Sequence, residues 1–237
     1  MAYERLEADA VAATARRLAE RVRTRFPDRN LGQVADRLVT VTSEVEVAAA
    51  RSRTMTVLRI IGVVLIVVLV GTAAMSLAAL ALELIRSTGS TLGWLEAIET
   101  SVNDLVFVGV AVVFLWLLPA RVERSRILAE LHRLRSLAHV IDMHQLTKDP
   151  ERYSVSYEST QHSVKLGMSP QQMASYLDYC SELLSLVAKT AALYAERTTD
   201  GAVLATISDI ENLTNGMSRK IWQKVALLVR DPASSQG

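Results

Sequence analysis

The sequence predicts an all-α membrane protein: a two-helix transmembrane hairpin with long cytoplasmic, coiled-coil-like helices and a C-terminal helical hairpin. Three observations carry this expectation. Two long uncharged, apolar blocks stand in a chain that is 22% charged overall. Elsewhere apolar residues recur at alternating spacings of three and four, a heptad pattern rather than a strand alternation. Arginines flank the outer ends of the two blocks, while the segment between them is acidic.

Composition narrows the class further. Of 237 residues, 50% are hydrophobic but only 5% aromatic, and the apolar ones are concentrated instead of spread as in a soluble core. A net charge of +1, from 26 basic and 25 acidic residues, argues against a nucleic-acid partner. Cys180 is the one cysteine, so no intrachain disulfide forms and no zinc is held by thiolates alone. Five prolines and ten glycines exclude collagen-like and linker-dominated chains.

The elements follow in order. Residues 1–55 form cytoplasmic N-terminal helices. The first is an Ala/Arg-rich amphipathic stretch over 4–26, with Leu6, Val11, Leu18 and Val22 on one face. Pro27 breaks it, and Asp28 is a candidate cap for the next helix. That helix carries Leu31, Val34, Leu38, Val41, Val45 and Ala48 on a heptad seam, and no proline separates it from the first apolar block. The polar start, with Glu4, Glu7 and Asp9, is not expected to be a targeting segment.

Residues 56–120 are expected to form the membrane hairpin, with spans at about 58–82 and 100–120 and an outside loop at 83–99. Residues 60–82 are 23 consecutive uncharged positions. As a helix they reach roughly 35 Å, enough for a hydrocarbon core of about 30 Å. The second block, 105–120, has 16 uncharged residues. At about 24 Å it is short, so the span is taken back to Thr100 and carries Asn103 and Asp104 at its outer end. Trp116 suits an interfacial anchor, and Pro119 is expected where the helix leaves the bilayer. Arg51, Arg53 and Arg59 precede the first span; Arg121, Arg124 and Arg126 follow the second. The connector holds Arg86 against Glu83, Glu96, Glu99 and Asp104. The positive-inside rule then places both termini in the cytoplasm, where a lone cysteine stays reduced.

Beyond the spans, 121–148 is expected as a cytoplasmic helix with Ile127, Leu131, Leu134, Ala138 and Ile141 on a three/four spacing. Residues 149–168 read as a loop, with a short extended piece at Tyr153–Tyr157. Ser169-Pro170-Gln171-Gln172 is a helix start, with a serine cap, proline at the first helical position and glutamine at the third. Residues 169–231 are expected as an antiparallel helical hairpin. Its first helix repeats Met173, Leu177, Cys180, Leu184, Val187, Ala191 and Tyr194 at heptad spacing, the regular seam expected to join copies of the chain. Asp200-Gly201 makes the turn, and a break is expected at Asn215-Gly216 in the second helix. Residues 232–237 are a frayed tail.

Candidate sites are few, and each has a structural alternative. His132, His139 and Asp142 approach one helical face and would need a further ligand from another helix to hold a metal; hydrogen bonding between helices is the alternative. Cys180 lies on an apolar seam near Asp178 and Glu182, which suits a buried structural thiol instead of a nucleophile. Gly71, Ala74, Ala78 and Ala81 put small side chains on one face of the first span, suited to close helix packing in lipid. Glu99, Asn103 and Asp104 at the outer mouth would attract cations if ringed in an oligomer, or serve as ordinary interfacial groups. The six arginines named above suit anionic headgroups as well as topology. No phosphate-cradling glycine loop, dinucleotide fingerprint, nucleophile elbow or zinc-protease motif is present, so no enzyme and no cofactor are expected.

Two resemblances attach to particular features. The stretches LHRLRSLAHVIDMHQLTKDPER (131–152), YLDYCSELLSL (176–186) and SRKIWQK (218–224) resemble a family of bacterial two-transmembrane helical proteins. The chain layout resembles the SLATT-type two-transmembrane effector domains of bacterial conflict systems, which implies a membrane-perforating role without carrying over any residue. The sequence therefore predicts a non-enzymatic, oligomerising protein of the bacterial inner membrane. Its expected role is scaffold or regulatory partner of a membrane complex, with lipid, further copies of itself and a second protein as partners. The alternative is a pore-forming effector gated by its cytoplasmic helices.

Overall fold

A computed structural model describes residues 6–50, 52–86, 91–153, 157–163 and 167–230. These form six α-helices and one 3₁₀ turn, and the described residues contain no strand. The helices are α1 (Ala8–Arg25), α2 (Leu31–Ala50), α3 (Ser52–Arg86), α4 (Thr91–Leu146), α5 (Pro170–Ala195) and α6 (Gly201–Arg230), with the 3₁₀ turn at Pro150–Tyr153. The chain divides into two compact units: residues 51–125, and residues 1–50 with 126–237.

The larger unit is a helical bundle with one apolar core. α1 ends at the Pro27 turn, where the Phe26 amide donates to the Val22 carbonyl at 2.9 Å. Phe26 is buried there, its ring edge-on to Tyr176 and Tyr179 with centroids 5.3 and 6.1 Å away. α2 begins at Leu31 and not at Asp28, because the Asn30 carbonyl accepts the first helical bonds from Gln33 and Val34. α1 packs on α2 and α5, α2 packs on α5, and α5 packs along α6. The last part of α4 joins the same core through Leu131, Leu134, Ala138 and Ile141, each fully buried.

α5 starts as its sequence motif predicts. Ser169 Oγ accepts from the Gln172 amide at 3.2 Å, and Gln172 Oε1 accepts from the Ser169 amide at 2.8 Å, a complete capping box. The seam residues Met173, Leu177, Cys180, Leu184, Val187, Ala191 and Tyr194 are all buried within one chain. Leu183, Leu186 and Leu193 are buried too; Leu183 borders the seam, while Leu186 and Leu193 lie well round the helix from it. This corrects the expected oligomer seam. A heptad stripe specifies an apolar partner, not a separate molecule, and here α1, α2, α4 and α6 of the same chain supply it.

Several boundaries differ from the sequence expectation for local reasons. α4 is continuous through Pro119, so the second apolar block and the helix expected after it are one element of 56 residues. The outside loop at 83–99 is largely helical: α3 continues to Arg86 and α4 begins at Thr91, with 87–90 outside the described residues. Glutamates end an apolar window without ending a helix. α6 runs unbroken past Asn215-Gly216, and Asp200 is its cap, Oδ1 accepting from the Ala202 and Val203 amides at 3.0 and 3.1 Å. Tyr153 belongs to the 3₁₀ turn instead of an extended piece; 154–156 and the tail 231–237 lie outside the described residues.

The smaller unit holds the two apolar helices. Arg59–Leu82, 24 residues, and the block of α4 beginning at Ser101 are long and apolar enough to cross a membrane, and neither window is buried inside the molecule. Where the described side chains of α3 are partly covered, they are Gly62, Ile66, Leu69, Ala73 and Leu80. Their spacing of four, three, four and seven defines one stripe. On α4 the partly covered positions include Val108, Ala111, Val112, Leu115 and Leu118. A Cβ at Gly62 would lie 3.7 Å from the Leu115 carbonyl oxygen. Leu115 is four residues before Pro119, whose missing N–H leaves this carbonyl without its usual helical donor. A Cβ would meet that carbonyl at ordinary contact distance, so a small side chain fits here and only a bulky one is crowded.

Candidate functional site

A group of polar side chains from α4, α5 and α6 meets where α4 ends. Its position follows from local rules: α4 runs out at Leu146, α5 lies beside it, and the last part of α6 passes the same point. His144 Nδ1 and the Tyr176 hydroxyl share a hydrogen bond of 3.2 Å between α4 and α5. Lys224 of α6 donates from Nζ to the Gln145 carbonyl at 2.9 Å, a favourable place for a cation because helix C-termini carry partial negative charge. Lys148 Nζ stands 5.3 Å from the centre of the Tyr176 ring and donates to Thr147 Oγ1 at 2.9 Å. Arg29 Nη2, from the turn before α2, donates to the Gly167 carbonyl at 3.1 Å.

The electrostatics of this group are dominated by withdrawal from water. Burial lowers the His144 pKa, and Lys148 lowers it further. Lys148 is itself lowered by burial, then by Arg29 and Lys224. Lys224 is lowered by burial, against the opposing pull of Asp149 and Asp142. Beneath them burial pushes the Cys180 thiol up to about 12, so it stays protonated and unreactive at neutral pH. Burial raises the Tyr176 phenol as well. Gln145 is buried; its Nε2 donates to Asp142 Oδ1 at 2.7 Å, while its Oε1 has no hydrogen-bond partner.

A second polar set ties other helices together. The Thr42 and Thr190 hydroxyls meet at 3.1 Å between α2 and α5, both buried; each is also within reach of the fourth preceding carbonyl of its own helix, so with one proton apiece one hydroxyl donates across the helices and the other to its own backbone. Arg133 of α4 bridges Glu44 of α2 at 2.7 Å and Glu130 at 2.6 Å. Such contacts fix the register of neighbouring helices more than they add stability.

The residues singled out from sequence are distributed differently. His132 and His139 are exposed, and Asp142 is engaged by Gln145, so the three do not converge. The described residues contain no group of three side chains able to hold a metal. Gly71, Ala74, Ala78 and Ala81 are all exposed, on the side of α3 away from Gly62, Ile66 and Leu69. The small face is therefore not the packing face within one chain. Glu99, Asn103 and Asp104 are exposed on α4. Arg59, Arg121, Arg124 and Arg126 are exposed; Arg51 and the side chain of Arg53 lie outside the described residues. The polar group at the end of α4 went unread because its residues come from distant parts of the chain: His144, Lys148, Tyr176 and Lys224 lie in three separate stretches, and nothing in the sequence joins those stretches at one place.

Fold and site together define a class: a protein whose described residues are helical, combining a closed helical bundle with two helices apolar enough to span a membrane. No family model matches the chain, and no curated protein or solved structure is similar to it.

Proposed function

We propose that the protein is a non-enzymatic, oligomerising component of the bacterial inner membrane, with both termini cytoplasmic, acting as scaffold or regulatory partner of a membrane-associated complex. The observation that carries this reading is the contrast between the two units. The bundle buries its apolar seams within itself, whereas the two apolar helices keep their large side chains exposed, Val67 at 64% and Leu105 at 70%. Such a surface is stable in lipid and costly in water. Within the bundle the Cys180 thiol is buried in the apolar core and His144 is hydrogen-bonded to Tyr176, which suits a structural unit. Self-association then runs through the membrane helices, where Gly71, Ala74, Ala78 and Ala81 form a small-residue face not used by α4.

The same exposed face supports a second reading, a SLATT-like pore or membrane-perturbing effector gated by the bundle. One experiment separates the two. The full chain is purified in mild detergent, its mass is measured, and it is reconstituted into dye-loaded vesicles. A discrete oligomer in tight vesicles supports the scaffold, and leakage at low protein density supports the pore. A strict monomer across a wide concentration range overturns both.

A further inference from the structure

We propose that the outward face of α4 in the bundle pairs with the same face of a second copy of the chain, anchored in the same membrane. The face is a heptad seam. Ala129, His132, Ser136, His139, Met143 and Leu146 follow one another at spacings of three, four, three, four and three. All six are exposed, Met143 at 65% and Leu146 at 56%, so the described residues leave the seam uncovered. The inner seam of the same stretch, Leu131, Leu134, Ala138 and Ile141, is fully buried. α4 thus carries two heptad seams here, and its own chain satisfies only one.

Charge and area both point to a second copy as the occupant. Between Arg126 and Lys148 no exposed position is Asp, Glu, Lys or Arg. The exposed positions of α1, by contrast, include Arg16, Arg17, Glu20, Arg23 and Arg25. In a two-fold pair of parallel helices each seam residue meets its own counterpart, so a fixed charge there would face itself. An uncharged seam is what self-pairing requires. Charged groups stand at its edges and are already engaged, Arg133 by Glu44 and Glu130, and Asp142 by Gln145.

The area is small. Residues 129–146 as helix give a face about 27 Å long and about 10 Å wide, or roughly 270 Å². A stable complex between freely diffusing proteins takes about 800 Å² from each partner. A soluble partner finds too little here. A copy held in the same membrane needs less, because the second contact is then intramolecular and enjoys a high effective concentration. The pairing therefore rests on the self-association proposed for the membrane helices and adds a contact outside the bilayer to it.

The test is disulfide cross-linking of the full chain in membranes. Native Cys180 is buried and does not compete. His139→Cys, Met143→Cys and Leu146→Cys are oxidised beside Lys189→Cys, an exposed position on α5, with rates normalised to labelling of each thiol by a small maleimide. Dimer should form at least about tenfold faster from the seam thiols than from position 189. Met143→Glu, placed at an exposed site outside the core, should remove the cross-link of Leu146→Cys while the mass in mild detergent still shows an oligomer. Seam thiols that react no faster than position 189, in a chain that is oligomeric in detergent, overturn the pairing and leave membrane self-association standing. A cross-link undiminished by Met143→Glu overturns the pairing as well. A wild type that is monomeric in detergent, with slow cross-linking at every position, overturns both.

Discussion

Single residues in this chain matter through what their surroundings do to them. His144 shows this in its pH response. Burial and Lys148 hold its pKa below the ordinary histidine value, so the unfolded chain binds more protons near neutrality than the folded one. The stability it confers is present above the unfolded value near 6.5 and is lost as pH falls through the lowered one. Melting temperature should therefore rise with pH between about 5 and 7, and His144→Gln should flatten that slope. An unchanged slope in the variant would remove His144 as its source. Gly62 is the second case, a position where space decides. Gly62→Leu should drive α3 off the α4 backbone near Leu115 and lower the thermal stability of the detergent-solubilised chain. Gly62→Ser is expected to be tolerated, since a hydroxyl there can donate to the carbonyl that Pro119 leaves open; equal loss in both variants would count against this. Neither role was legible from the sequence. His144 sat beside more conspicuous histidines, and Gly62 was one glycine in an apolar run, because each draws its meaning from a residue far along the chain.

At the scale of elements, periodicity located the helices and failed to say what they pack against. The Ser169 cap, the Pro27 break and the core positions of α2 and α4 follow from local rules of capping, backbone restriction and apolar spacing. The heptad seam of α5 was equally legible, but its partner was not. Leu186 and Leu193, buried well round the helix from that seam, stand in the same sequence and mark a helix covered on more than one side, hence one at the centre of a bundle. Leu184→Ala tests the corrected role. It should destabilise the bundle by about 2–5 kcal/mol in chemical unfolding, because a fully buried leucine leaves a cavity. Its oligomeric state in detergent should be unchanged, whereas an oligomer held by this seam would dissociate. The helix ends misjudged from sequence share one cause. Charges and glycines at 83–99 and 215–216 were read as stops, yet such local signals are weak: α3 continues to Arg86 and α4 begins at Thr91, and α6 passes Gly216 with the flanking Thr214 and Met217 buried.

For the whole molecule, the expected topology is a hairpin with both ends on one side. Protease added to sealed inside-out membrane vesicles should cut at both Arg-flanked ends, while a tag placed in 87–90 stays protected; protection of either end would reverse the assignment. The sequence by itself determined the helical class, the two apolar segments and their charge flanks, because hydropathy and heptad spacing are local, additive properties of consecutive residues. Only the tertiary structure decided which apolar stripes are satisfied within the chain, that the small face of α3 is left uncovered by α4, and that Lys224 of α6 and Tyr176 of α5 meet the end of α4. The reason is physical: a stripe or a charge states what kind of neighbour it needs, and which neighbour meets that need depends on contacts between residues far apart in the chain.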